Sequence, residues 1–109
     1  MSESRITFPC GDLTLEGRLT LPDGGAPRAA VVCHPHPMYG GSMDNNVVEA
    51  VLEALWHRQF ATLRFNFRGV GRSQGRYDGG IGEISDAAAA PADEVRLGRR
   101  RPVDLGRHA

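Results

Sequence analysis

Hydrophobic and polar residues alternate along the first part of the chain. Ile6, Phe8 and Cys10 alternate with polar neighbours, and Pro9-Cys10-Gly11-Asp12 supplies turn chemistry. Leu13, Leu15, Gly17, Leu19 and Leu21 then alternate with Thr14, Glu16, Arg18 and Thr20. A period of two with a turn between predicts an antiparallel hairpin with one buried face. After the turn cluster Pro22-Asp23-Gly24-Gly25-Ala26-Pro27, the run Ala29-Ala30-Val31-Val32-Cys33 is continuously apolar, as in a strand covered on both faces. From Val47 the period changes to that of a helix, with Val47, Val48, Val51, Leu52, Leu55 and Trp56 forming an apolar stripe. Asn46 with Glu49 resembles a capping box, and Asp44 or Asn45 offers an alternative cap. Ala61, Leu63, Phe65 and Phe67 alternate again and predict a fourth strand, parallel to the third.

A second helix is predicted to open near Glu83 and to run through Ser85-Asp86-Ala87-Ala88-Ala89-Ala90, with Glu83 and Asp86 as a solvated start where carboxylates favour the dipole. From Pro91 to Ala109 neither period survives and arginine dominates, so residues 91–109 read as an irregular, disordered tail. The expected architecture is α/β: an antiparallel hairpin followed by strand, helix, strand over residues 4–90.

Composition narrows the partners. The 109 residues carry 13 basic and 13 acidic side chains, a formal net charge of zero, which provides no global attraction to nucleic acid or anionic lipid. All the basic residues are arginine. Cys10 and Cys33 do not form a disulfide framework, and Cys33, in its apolar run, is expected to be a buried thiol. Neither a leader pattern nor a stretch of membrane-spanning length is present, so a cytoplasmic setting is expected.

Candidate chemistry sits in two segments that each follow a strand. The first is His34-Pro35-His36-Pro37-Met38-Tyr39-Gly40-Gly41; the second is Arg68-Gly69-Val70-Gly71-Arg72-Ser73-Gln74-Gly75. In the second, Gly69 and Gly71 permit positive φ, and Arg68 is expected to tie down carbonyls at a sharp turn. Gly71-Arg72-Ser73-Gln74-Gly75 satisfies G-x-S-x-G, but a nucleophile elbow needs a strand ending just before the serine and a helix opening just after it. Phe67 is expected to end the strand several residues earlier, so Ser73 is read as part of a structural turn. His34-x-His36 could share one face of an extended segment, yet no third ligand stands at metal-site spacing. No metal or cofactor is expected.

Cys33-His34-Pro35-His36-Pro37, Gly40-Gly41-Ser42-Met43-Asp44-Asn45-Asn46-Val47-Val48 and Leu63-Arg64-Phe65-Asn66-Phe67-Arg68-Gly69-Val70-Gly71-Arg72-Ser73 together resemble the N-terminal half of the α/β-hydrolase superfamily, particularly its small bacterial dienelactone-hydrolase-like members. The resemblance spans residues 4–90. It implies a partial α/β-hydrolase sheet and an oxyanion loop whose backbone donors lie among His36, Met38, Tyr39 and Gly40, Pro35 and Pro37 having no N–H. It implies an ester or acyl hydrolase acting on a small-molecule acyl substrate in intact relatives. The nucleophile, acid and histidine would come after residue 90, so the chain is expected to be truncated and inactive alone, with no catalytic residue of its own.

Two alternatives stand beside it. The Gly69–Gly75 turn after a parallel strand could cradle a phosphate or nucleotide, although no helix opens directly behind it. A free edge on Ala29–Cys33 could instead act by strand pairing with a complementary chain or with a second copy.

Overall fold

The computed structural model describes residues 1–35 and 41–91. Four strands and two helices follow one another as β1 (Ser2–Cys10), β2 (Leu13–Leu21), β3 (Arg28–Cys33), α1 (Asn46–Trp56), β4 (Phe60–Phe65) and α2 (Ile81–Ala89). The sheet order is β1-β2-β4-β3. β1 and β2 form the antiparallel hairpin from Ser2↔Leu21 to Cys10↔Leu13, with Gly11 at φ 58° in its two-residue turn. β2 pairs antiparallel with β4, and β4 pairs parallel with β3 from Arg28↔Phe60 to Cys33↔Phe65.

The period of two sorts side chains onto two faces. Ile6, Phe8, Leu15, Leu19, Leu63 and Phe65 form the main core, against which Ala87 and Ala89 of α2 pack. Phe8 and Phe65 meet edge to face, with centroids 5.5 Å apart. Gly17 sits opposite Phe65, and a Cβ there would lie 2.7 Å from the Arg64 carbonyl oxygen, so only glycine allows β2 to approach β4 this closely. On the other face Val32 packs against Val48 and Leu52 of α1. Trp56 closes that side by donating from Nε1 to Thr62 Oγ1 at 2.8 Å.

α1 begins one residue after Asn45, whose side chain accepts from Val47 N–H at 2.8 Å, so the cap is Asn45 rather than Asn46. Several other expectations are corrected. The β4 ladder ends at Phe65; Phe67 stays in the core after leaving the strand, because the chain turns there with Val70 N–H bonded to Phe67 O. Among the described residues β3 is covered on one face only: Val32 is buried, whereas Val31 is 37% exposed. Cys33, next along that edge, is an exposed thiol.

Glu83 and Asp86 are buried rather than solvated, since each carboxylate is held by N–H donors from the preceding loop. α2 starts at Ile81, after Gly80 at φ 95°. Of the tail expected at 91–109, residues 92–109 lie outside the described residues.

Candidate functional site

β3 and β4 are parallel neighbours, so the segments that follow them leave from the same end of the sheet. Two consecutive residues after β4 hold the chain on both sides of the first segment. Asn66 Oδ1 accepts from Met43 N–H at 2.8 Å, and Phe67 N–H donates to His34 Nε2 at 3.2 Å; both bonds are buried. His34 is 3% exposed and stands edge to face with Phe67, centroids 4.9 Å apart. With Nε2 accepting, the proton is on Nδ1, which reaches the Pro35 carbonyl at 3.1 Å. Burial pushes the His34 imidazole below its ordinary pKa, against a smaller opposing effect of the Pro35 carbonyl, so the fold holds the neutral ring. Both ring nitrogens are engaged, which removes His34 from a metal site. Among the described residues no group of three His, Cys, Asp or Glu side chains could hold a metal ion.

The predicted oxyanion-loop residues His36, Met38, Tyr39 and Gly40 lie outside the described residues. What the structure places is their framework: His34 before them, Met43 after them, and Asn66 and Phe67 as the clamps.

Glu16 anchors the second segment to β2. Its backbone O accepts from Asn66 N–H at 3.0 Å, its N–H donates to Ser73 Oγ at 2.9 Å, and its Oε2 accepts from Asn66 Nδ2 at 2.8 Å and from Arg72 N–H. Ser73, 6% exposed, donates from Oγ to the Asn66 carbonyl at 2.6 Å. Its hydroxyl is therefore engaged on both sides, and no serine hydroxyl among the described residues is hydrogen-bonded to a histidine. Gly69 at φ 80° and Gly71 at φ 55° occupy conformations that favour glycine, and at both positions neighbouring atoms leave no room for a Cβ.

Arg68 binds a carboxylate where carbonyl partners were expected. Its Nε and one terminal nitrogen donate to Asp86 Oδ1 at 3.1 and 2.8 Å, and its backbone N–H donates to Asp86 Oδ2 at 2.9 Å. The same guanidinium lies where a Cβ on Gly82 would be, which explains a glycine in the first turn of α2. Asp86 is fully buried, and the pair fastens α2 to the end of β4.

The Gly69–Gly75 turn is not arranged to cradle a phosphate. The N–H groups of Gly69, Val70, Arg72, Ser73 and Gln74 already donate to protein oxygens, and the next helix opens only at Ile81. Sequence reasoning found Arg68, Gly69, Gly71 and Ser73 but missed Glu16, Asn66 and Asp86 as their partners. Asn66 had a readable signal, a lone amide between two phenylalanines directly before the arginine-glycine turn. Glu16 had none, because it continues the polar side of a hairpin.

No protein-family model matches the chain. An uncharacterized protein of Rickettsia prowazekii is 46% identical over 86 residues, 79% of this chain and 36% of its own length. An alpha-beta serine hydrolase homologue from Coxiella burnetii superposes with a TM-score of 0.76 at 43% identity, covering 82% of this chain and 43% of that one. A member of the α/β serine hydrolases without a lid, from Xanthomonas campestris, gives 0.76 at 38% identity, covering 91% of this chain and 46% of that one. The chain thus spans less than half the length of each of these proteins.

Proposed function

We propose, from the premise that this chain carries the N-terminal half of an α/β-hydrolase superfamily fold, that it supplies the oxyanion-loop half of an ester or acyl hydrolase. Among the described residues no serine is paired with a histidine, and on this reading hydrolysis needs groups beyond them. The observation that carries the reading is the double clamp, Asn66 on Met43 and Phe67 on His34. Two buried bonds from consecutive residues fix both sides of the segment containing His36, Met38, Tyr39 and Gly40. A rigid frame is what an oxyanion site requires, because its donors stabilise developing charge only if they need not reorganise during the reaction.

The remainder of the reaction, a Ser-His-acid relay that attacks the acyl carbon and returns a proton to the leaving group, needs groups that the described residues do not bring together. Ser73 is spent on the turn, and His34 on Phe67 and Pro35. A cytoplasmic setting suits the two free thiols.

The test is a chimera in which residues 1–91 replace the corresponding half of the Xanthomonas campestris relative, assayed with short p-nitrophenyl esters beside the 109-residue chain. Turnover by the chimera and none by the chain alone is expected. A folded chimera without turnover, while the intact relative remains active, would overturn the reading.

A further inference from the structure

Arg5, Arg18 and Arg72 line a cavity of about 100 Å³ completed by Glu16, Gly17 and Met43. It lies on the polar face of the sheet, away from the main core. The register brings two of these arginines together, and Arg72 arrives on the turn after β4, where its N–H is held by Glu16. Arg5 is directly opposite Arg18 across β1 and β2, and Arg18 is directly opposite Arg64 across β2 and β4, so three arginines stand in one cross-strand row.

Like charges directly opposite on adjacent strands destabilise a sheet. Arg64 is relieved by Glu3 at 3.2 Å and by Glu49. Arg18 has Asp44 at 3.2 Å, itself more than half exposed. The side chains of Arg5 and Arg72 have no ion pair among the described residues. The carboxylate in the cavity wall, Glu16, is committed through Oε2 to Asn66 Nδ2 and the Arg72 N–H.

We propose that this cleft binds the oxyanion of a small ligand, a phosphate or carboxylate group held between the guanidinium groups of Arg5, Arg18 and Arg72. A row of arginines not fully compensated within the protein breaks a local rule of sheet pairing, and such breaks belong to functional places. The guanidinium fork matches the planar edge of a carboxylate or two oxygens of a phosphate. The volume decides the size class: pockets that enclose whole small molecules run to roughly 300–1,000 Å³, so this cleft takes one anionic group while the rest of a ligand stays outside. The recognition uses side chains, not the amides of the Gly69–Gly75 turn, and it does not depend on the hydrolase reading.

The experiment is isothermal titration calorimetry of the 109-residue chain with inorganic phosphate and, separately, with acetate, at constant ionic strength set by sodium chloride. Saturable one-site binding of at least one of them is expected; tighter phosphate identifies a phosphate ligand, tighter acetate a carboxylate. Arg5→Ala and Arg72→Ala should each weaken it about tenfold, the effect of removing one charge-assisted bond. The ligand-free melting midpoint should hold, since Arg72→Ala keeps the backbone N–H that Glu16 accepts. Arg5→Gln and Arg72→Gln serve if an alanine variant fails to fold, and Arg58→Ala, outside the cleft, should bind normally. Heat that never saturates, or binding unchanged in both the Arg5 and Arg72 variants, would overturn the proposal.

Discussion

Asp86, fully buried in α2, receives three hydrogen bonds of 3.1 Å or less from Arg68, two from the guanidinium and one from the backbone N–H. The two residues are eighteen positions apart, and their pairing joins the end of β4 to a helix with few large apolar side chains of its own. Removing one partner of a buried pair strands the other charge, which costs about 3–5 kcal/mol; Arg68 would keep Asp78, 4.0 Å away and 61% exposed, whereas Asp86 would keep no cation among the described residues. Asp86→Ala should therefore remove a large share of a stability that is about 5–15 kcal/mol in ordinary domains. Arg68→Ala should do the same, and the double variant should be less damaged than the sum of the two. Urea unfolding of the three variants checks this; additive losses would mean that the pair does not act as a unit.

Much of the fold was legible because hydrophobic period alone separates strand from helix. The hairpin, the apolar β3, the stripe of α1 and the alternation of β4 all carry that signal, and each element appears where the pattern lies. The misreadings share one cause: whether a side chain is buried, polar or apolar, depends on neighbours distant in sequence. Asp86 and Glu83 look like helix-start carboxylates until the loop from Arg68 to Gly80 folds over them. The apolar run at Ala29–Cys33 looks doubly covered, yet the neighbours in hand cover one face, leaving Val31 and Cys33 open. At the candidate site the glycines and Arg68 were visible as turn chemistry and Asn66 stood out as a lone amide between two phenylalanines, whereas Glu16 acts through tertiary contacts that no local pattern encodes.

His34 makes stability depend on pH in a definite direction. Its folded-state pKa lies below the ordinary value of 6.5, because burial disfavours the charged ring. Above that value neither state holds the extra proton and the group contributes no slope. As pH falls through 6.5 the unfolded chain takes up the proton first, so stability falls, by at most about 1.4 kcal/mol per pH unit for one group. Protonation would also turn Nε2 into a donor facing the Phe67 N–H. Urea midpoints should drop between pH 7.5 and pH 5.5 in the wild-type chain. His34→Phe should be weaker at pH 7.5 by about 1–3 kcal/mol, since the Phe67 N–H is left without its acceptor, and should show a smaller drop on acidification. An equal drop in both proteins would assign the pH dependence to other groups.

The turn after β4 should fail through its glycine before its serine. A Cβ on Gly71 would meet Glu16 Oε2 and would lie 2.6 Å from Asn66 Nδ2, at a φ of 55° that L side chains rarely adopt. Gly71→Ala thus forces apart the Glu16–Asn66 bond that precedes the clamp on Met43. Ser73→Ala removes one hydroxyl and its two bonds but keeps the backbone path. The expected losses are about 1–3 kcal/mol for the serine and more for the glycine, with amide shifts at Met43 in Gly71→Ala. In the hydrolase chimera Ser73→Ala should retain turnover; its complete loss in a folded protein would make Ser73 the nucleophile after all.

β3 leaves one edge unpaired among the described residues, and apolar surface accompanies it. Val31 is 37% exposed on the sheet, while Val47 and Val51 of α1 are 62% and 43% exposed. A free edge offers a row of N–H and C=O groups to any second strand, and natural sheets blunt such edges with charge, proline or cover. Here Arg28 begins the strand, and from Ala29 to Cys33 no charged side chain follows. The 109-residue chain should therefore self-associate as its concentration rises, with two β3 edges joining. Val31→Lys places a charge beside that edge without touching the Val32 contacts to α1, and should shift the chain toward monomer while leaving the unfolding free energy of the monomer within about 0.5 kcal/mol of wild type. Sedimentation velocity across a concentration series reads the result directly. A wild-type chain that stays monomeric and melts cooperatively at every concentration would show that the open edge is not a pairing surface.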